Sequence, residues 1–499
     1  MQWIASLTPE VTSDPLTALK LPPAEADLVE IRLDLFPELD LSAAIGACPL
    51  PILATYRSSA EGGAGSLDPE TRLRFLRRAR DAGPVLIDLE WARDSYLQLD
   101  LGLPPEQVVL SWHDGSATPA DLMNISFAML AENAALVKVI PTARCLADLE
   151  SVLSLYQRLD NPKRLMAFAM GKTGVASRFL APLLGSPLGF ASWCAGTSAA
   201  PGQLPPDQMN AVVGHLSGPP RKIFGVVGRD VTASLSPALH AAAFRATGLP
   251  DLMIPVSVPD ANDLEALFQP QGMTLFDRVG LHASGWAVTS PYKAEAASAA
   301  TFAAPRVRRA GAANTLILKP DALIAENTDA DGVVGGLTAA GVSVVGKTAL
   351  IQGTGGAARG AAIGLHLAGA NVLLRSRDDS RAERTAQELD LGWRASDASA
   401  QAEILVNATP LGTNEDDRRP FSLSDLDTAE AVVDMVYTTG ETLLVSESMA
   451  RGLKCVDGRR MLAFQGMAQF AAFTATVPPR KEMLAALGLN PAKPEPNLN

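Results

Sequence analysis

The run Ala134-Ala-Leu-Val-Lys138-Val-Ile-Pro-Thr142 sets one lysine in the middle of an apolar strand, between Val137 and Val139. An ammonium buried without a partner is costly, and burial lowers its pKa toward the neutral amine that attacks ketones. The same run also suits a lysine at a strand end reaching out to water. What stands on either side decides between them. With this run at 135–141, short apolar strands are predicted at 2–7, 28–35, 51–57, 84–91, 108–113, 164–170 and 190–195. Amphipathic stretches such as 69–82, 119–133 and 146–159 lie between them, with Asp68 and Thr118 as candidate N-caps. Strand and helix alternating eight times over some 215 residues predict an α/β fold that begins with a (β/α)8 barrel.

Side chains alternate along a strand, so parity tells which residues share a face. Glu30, Arg32 and Asp34 fall together, as do Thr55 with Arg57, Asp88 with Glu90, and Ser111 with His113. In each strand the polar residues gather toward the C-terminal end, which in a barrel is the mouth where active sites are built. A solvated antiparallel sheet also alternates, but these four strands and that of Lys138, five in succession polar at the same end, fit it poorly.

The chain has 499 residues, 47% hydrophobic and 19% charged, which predicts about three domains with sizeable cores. A net charge of −12 without a basic tail argues against nucleic acid as a partner and for small molecules. Cys48, Cys145, Cys194 and Cys455 lack C-x-x-C spacing, so neither a disulfide framework nor a metal site is expected. No basic leader or membrane-length apolar run is present, and a cytoplasmic protein is expected.

The first half resembles the type I 3-dehydroquinate dehydratases of the shikimate pathway. The motifs that carry the resemblance are Glu30-Ile-Arg32-Leu-Asp34, Thr55-Tyr-Arg57 leading to Glu61-Gly-Gly63, Asp88-Leu-Glu90, Ser111-Trp-His113-Asp114, Lys138, Met170-Gly-Lys-Thr-Gly-Val-Ala-Ser-Arg178 and Pro201-Gly-Gln203. The resemblance implies that Lys138 forms an imine with the substrate ketone, that His113 moves protons, and that Glu90 orients His113. It implies Glu30, Arg32, Arg57, Arg178, Ser198 and Gln203 as substrate contacts. Ala199 stands where the family usually has Ser or Thr.

A Gly/Pro break at Ser217-Gly-Pro-Pro-Arg-Lys222 ends this region. Beyond it, Thr348-Ala-Leu-Ile-Gln-Gly353-Thr-Gly355-Gly356-Ala357 reads as a strand turning through glycines into a helix, the form of a pyrophosphate cradle. The next strand ends in Arg375-Ser376-Arg377, with Arg381 following. Arginines there suit a 2′-phosphate, so NADP(H) is the expected cofactor, although Asp378 and Asp379 stand nearby.

Ser234-Leu-Ser236-Pro237, Val288-Thr289-Ser-Pro-Tyr-Lys293, Gly311-Ala-Ala-Asn314-Thr315, Glu326-Asn-Thr-Asp329, Val406-Asn407-Ala-Thr409, Asp434-Met-Val-Tyr437 and Gln465-Gly466 occur in the order seen in shikimate dehydrogenases, which this half resembles. The resemblance implies Lys293 and Asp329 as the catalytic pair, and Ser234, Ser236, Thr289, Asn314, Tyr437 and Gln465 as substrate contacts. It implies Gly353, Gly355, Gly356, Ala357, Ser376, Arg377, Arg381, Asn407 and Thr409 around the cofactor, and no metal. Ala287 replaces the family's Asn, and Ala follows His240 in place of Asn.

The expected layout is a dehydratase barrel at 1–217, a substrate-binding domain at 223–330, a Rossmann-type domain at 331–460 and C-terminal helices at 461–488, with a disordered tail from 490. The first reaction's product, 3-dehydroshikimate, is the second's substrate, so a bifunctional enzyme is expected. The alternatives are an NAD-linked catabolic quinate or shikimate oxidoreductase, and a dehydrogenase carrying a non-catalytic barrel.

Overall fold

The computed structural model describes residues 1–490 apart from 160–161, 198, 201, 415–417 and 439. Ser198 and the tail beyond Asn490 therefore lie outside the described residues.

The first sheet contains β1 (Trp3–Leu7), β2 (Leu28–Arg32), β3 (Ile52–Thr55), β4 (Leu86–Glu90), β5 (Val108–His113), β6 (Leu136–Ile140), β7 (Leu165–Ala167) and β8 (Gly189–Ser192). Each of β1 to β6 pairs in parallel with its successor, and β8 returns to β1, which curls the sheet into a nearly closed barrel. The seam between β7 and β8 has no ladder among the described residues. Seven strands fall within their expected ranges, and β8 starts one residue early. At the β8–β1 closure Gly189 makes room for Trp3, since a Cβ there would come within 2.3 Å of the indole.

Asp68 caps the helix Pro69–Ala82 by accepting from the Thr71 N–H. Thr118 does not cap. The helix expected from 119 begins at Leu122 with Asp121 at its N-cap, and the Thr118 hydroxyl donates instead to the Thr142 carbonyl, tying the loop after β5 to that after β6.

The second sheet is mixed: β9 (Lys222–Gly228), β10 (Asp251–Ser257), β11 (Ala283–Val288), β12 (Phe302–Ala303), β13 (Thr315–Lys319) and β14 (Ala322–Glu326), ordered β10-β9-β11-β13-β14-β12. The third is wholly parallel: β15 (Thr348–Gln352), β16 (Asn371–Arg375), β17 (Gly392–Trp393), β18 (Ile404–Asn407), β19 (Ala431–Asp434) and β20 (Lys454–Val456). Its order, β17-β16-β15-β18-β19-β20, is the doubly wound 3-2-1-4-5-6 arrangement, whose strand order reverses between β15 and β18. The helix Gly458–Thr474 then runs back to the second sheet, where Phe470 and Phe473 pack against Phe224 and Phe244.

Barrel and second sheet share one apolar cluster. Leu149, Phe179, Met209 and Val213 from the barrel's outer helices pack with Leu252, Ile254, Phe276 and Val279. Arg278 with Glu150 and Arg221 with Asp251 add ion pairs beside it. Among the described residues no helix is long and apolar enough to cross a membrane.

Candidate active sites

Parallel register carries the polar positions of β2 to β6 into the barrel. Ser111 stands opposite Lys138, and Glu90 opposite Ser111. Lys138 is 5% exposed. Its Nζ lies 3.9 Å from Glu30 Oε1, 3.8 Å from Asp88 Oδ2 and 3.8 Å from the centroid of the Phe190 ring. Burial lowers the ammonium's pKa, and the two carboxylates oppose that without cancelling it. The lysine therefore points into the barrel, not out to water.

Arg57 is the hub of the anionic cluster. It donates to Asp88 at 2.8 Å, Ser111 at 2.9 Å, Glu90 at 3.2 Å and Glu61 at 3.3 Å. His113 lies in the same interior. Burial first, then the charges of Arg57, Lys138 and Arg32, hold its pKa well below the usual histidine value, so the imidazole stays neutral.

The orienting carboxylate is Glu61, which corrects the expectation for Glu90. His113 Nδ1 is 2.9 Å from Glu61 Oε2. Glu90 instead accepts from the Ser58 N–H at 2.7 Å and from Arg57, and it pairs with Arg72 and Arg93, so its oxygens are held away from the imidazole. Glu61 sits on the loop after β3, and the two glycines after it turn that loop back. Gly62 has φ +83°, and a Cβ on Gly63 would meet the Arg57 carbonyl at 2.2 Å.

Burial raises the Glu61 carboxyl to about 7, with Arg57 opposing. Below that pH its O–H donates to Nδ1 and leaves the hydrogen on Nε2, the wrong tautomer for a base. Above it, Nδ1–H donates to the carboxylate and Nε2 is free to accept. Dehydration is therefore expected to rise with pH through an inflection near 7 belonging to the pair. In Glu61→Gln a pH–rate profile should lose that inflection, with kcat reduced by ~10- to 100-fold.

The remaining barrel residues are close by. Arg32 forms a bidentate pair with Asp34 at 2.7 and 2.9 Å. Arg178 lies buried over the Phe168 ring, and burial pushes its pKa down to about 10. The turn at Gly202, φ +81°, packs beside Arg178, and Gln203 Oε1 accepts from the Ala199 N–H.

In the second half, a cavity of about 470 Å³ is lined by Ser234, Ser236, Thr289, Lys293, Asn314, Asp329, Tyr437 and Gln465, with Ala287 in its wall. The expected catalytic pair and all six expected substrate contacts thus meet in one place. Lys293 and Asp329 each open a helix and form a buried ion pair. Asn314 Nδ2 bonds Asp329 Oδ1 at 3.0 Å and Gln465 Oε1 at 3.1 Å, fixing the carboxylate from behind. Ser236 is the first helical residue, its N–H donates to the Ser234 Oγ at 3.3 Å, and both serines line the cavity.

The glycine loop is built for close approach. Gly353 has φ +125°, and a Cβ there would meet the Ala408 carbonyl at 2.8 Å. A Cβ on Gly356 would come within 2.8 Å of Lys293 Cβ, so the helix Gly356–Leu367 begins against the lysine's stem, and Ala357 lines the substrate cavity. A second cleft contains Gly355, Gly356, Arg359, Arg381 and Arg384. Asn407 braces the facing loop, accepting from the Thr409 hydroxyl and donating to Asp434.

Of the arginines at the end of β16, Arg375 turns inward, bonding Gln352 and Asp425 over the Phe421 ring, so it is not free for a ligand. Arg377 is exposed. Asp378 caps the following helix, Asp379 accepts from the Ser396 N–H, and Ser376 braces Asp378. Both acids that left room for NAD are thus engaged locally. The sequence reading passed over Arg359 and Arg384. Both lie on helices, one just past the glycines and one a turn past Arg381, and that helical spacing was the available signal. Among the described residues no three or more His, Cys, Asp or Glu are grouped to hold a metal ion.

The two mouths adjoin. Lys172, on the loop after β7, pairs at 2.5 Å with Asp230, which lines the second cavity.

A barrel with an enclosed amine and a neutral imidazole in the same interior, joined to a doubly wound sheet with its own Lys–Asp pair, defines a two-centre enzyme, part lyase and part oxidoreductase. Residues 6–218 match the family model for type I 3-dehydroquinase, and residues 226–316 that for the shikimate dehydrogenase substrate binding domain. The chain is 35% identical over 271 residues to shikimate dehydrogenase (NADP(+)) of Halobacterium salinarum, covering 53% of this chain and 98% of that protein. It is 28% identical over 489 residues to the chloroplastic bifunctional 3-dehydroquinate dehydratase/shikimate dehydrogenase of Arabidopsis thaliana, covering 91% and 79%. Among solved structures, shikimate 5-dehydrogenase of Thermus thermophilus with NADP(H) and shikimate aligns over 53% of this chain and 98% of its own, at 32% identity and a TM-score of 0.48. The chain belongs to the type I 3-dehydroquinase family in its first half and to the shikimate dehydrogenase family in its second. It is a bifunctional 3-dehydroquinate dehydratase and NADP-dependent shikimate dehydrogenase.

Proposed function

We propose that Lys138 condenses with the ketone of 3-dehydroquinate, that His113 held by Glu61 moves the protons, and that Lys293 with Asp329 completes reduction to shikimate. The observation that carries this is the enclosed Lys138 amine, set between two carboxylates in the same interior as a neutral imidazole. The protonated imine draws electrons from the neighbouring carbon. His113 Nε2 takes the proton released there and passes it to the departing hydroxyl, which leaves as water. Hydrolysis of the imine then frees 3-dehydroshikimate. Arg178 and Gln203 hold the substrate's carboxylate and polar edge at the mouth.

In the second cavity NADPH, when bound, supplies a hydride to the ketone carbon. Lys293 delivers the proton to the oxygen, and Asp329 holds the ammonium in place. Gly353, Gly355 and Gly356 would cradle the pyrophosphate, while Arg377 and Arg381 would meet the 2′-phosphate. Replacing Arg381 by alanine is expected to raise KM for NADPH by ~10- to 100-fold, the weight of a charge-assisted hydrogen bond, and to leave KM for NADH nearly unchanged.

This reading divides the chain at 1–217, 223–330, 331–460 and 461–488, and places a small-molecule enzyme in the cytoplasm. The four cysteines, all free, support that compartment. The test is borohydride reduction with 3-dehydroquinate bound, followed by peptide mass spectrometry. An adduct on Lys138 is expected. No adduct, or one on another lysine, overturns the reading.

A further inference from the structure

An ammonium has no lone pair, so Lys138 must lose a proton before it can attack. The interior offers few bases. Lys138 is 5% exposed and Asp88 2%, which leaves little room for bulk water to take the proton. His113 is tied through Nδ1 to Glu61, and its other nitrogen serves the C–H chemistry. Two carboxylates remain, and they are not equivalent. Glu30 has both oxygens occupied, Oε2 by the Ser6 hydroxyl at 2.6 Å and Oε1 by the Thr55 hydroxyl at 2.9 Å. Asp88 has one oxygen fixed and one open. Its Oδ1 accepts from Ser111 at 2.6 Å and Arg57 at 2.8 Å, whereas its Oδ2 is buried, without a hydrogen bond, 3.8 Å from Lys138 Nζ.

Resting on the Schiff-base reading above, we infer that Asp88 is the proton acceptor that frees the Lys138 amine, and afterwards the counter-ion of the protonated imine. An N–H bond of the ammonium breaks and an O–H bond forms at Asp88 Oδ2, turning NH₃⁺ and COO⁻ into NH₂ and COOH. The amine adds to the ketone to give the carbinolamine. Asp88 then returns its proton to that hydroxyl, which leaves as water. The iminium faces the restored carboxylate, so charge and atoms balance with no further reactant. Oδ1 anchors the side chain through Arg57 and Ser111 while Oδ2 gains and loses the proton. An unpaired buried oxygen is costly, and contact with the ammonium of the resting enzyme and the iminium of the intermediate offsets that cost. The lowered lysine pKa makes the transfer easier. The charged and titratable groups around the pair are Glu30 and Arg32 from β2, Arg57 and Glu61 after β3, Glu90 on β4 and the neutral His113 on β5.

The experiment mixes full-length protein with 3-dehydroquinate, quenches with borohydride after increasing delays, and measures the Lys138 adduct by mass spectrometry from about pH 6 to 10, a span that brackets the transfer. In Asp88→Asn, adduct formation near neutral pH is expected to slow by ~100-fold, the scale of a lost proton-transfer group, and to recover as pH rises and hydroxide takes over. Asp88→Glu, which restores a carboxylate, is expected to stay within ~10-fold of the parent and to keep its pH profile. Two results overturn the inference. One is Asp88→Asn forming adduct at the parent rate. The other is Asp88→Asn and Asp88→Glu slowed by the same factor at every pH, which marks a packing role. If the parent itself yields no Lys138 adduct, the Schiff-base reading fails instead.

Discussion

Lys138→Ala is expected to lose dehydration by ~10⁴-fold or more, because no other group nearby can form the imine and the covalent route disappears with the amine. The same protein should reduce 3-dehydroshikimate with NADPH at the parent rate, since the Lys138 ammonium meets Glu30, Asp88 and Phe190 inside the barrel. Two steady-state assays on one preparation check both halves of this statement. The lysine also balances buried negative charge, so its removal costs barrel stability, and the reductase rate reports whether the chain is still folded. If dehydration persisted at more than a few per cent, covalent catalysis at Lys138 would be excluded. If the parent showed none, the barrel would be a passenger, the alternative that the sequence left open.

Lys293→Met is the second large effect. Methionine keeps the unbranched stem that packs against Gly356 and removes only the ammonium. Reduction of 3-dehydroshikimate should fall by ~10²- to 10⁴-fold, the range for removal of a general acid. KM for NADPH should change little, and dehydration not at all. The loss should lie in kcat, because the proton is needed as the oxygen gains charge and less when the ketone merely binds. Reduction within ~10-fold of the parent would mean that the proton comes from elsewhere, and the pairing of Lys293 with Asp329 would then be structural only.

How much of this was legible in the sequence follows from the kind of signal each residue carries. The eight strands could be read because polar side chains fall at every second position toward one end, and parity survives without knowing any contact. Lys138, Asp88 and Ser111 were placed on their faces that way. Glu61 was not, because it sits on a loop, where alternation says nothing. Its signal was the glycine pair behind it, and that marks a turn without saying where the turn points. Glu90, on a strand beside Asp88, drew the role by parity and resemblance, and three arginines hold its oxygens elsewhere. Asp88 shows a finer limit. Sequence gives the carboxylate, but which oxygen is tied and which is open depends on Arg57 and Ser111 meeting one side of it. Thr118 does not cap because the helix begins only at Leu122, after an Asp121 that makes no capping bond, and its own hydroxyl meets the Thr142 carbonyl. Arg375 looked like a phosphate ligand beside Arg377, yet alternation along β16 turns it toward Asp425 and Phe421.

The apolar seam joining the outer barrel helices to the second sheet holds the two catalysts together on either side of the Gly/Pro break. Severing the chain there would leave Leu149, Phe179 and Met209 on one fragment, and Leu252, Ile254 and Phe276 on the other, as oily flanks seeking each other or an unrelated surface. Solvent exclusion along that seam is what keeps successive workstations on one frame.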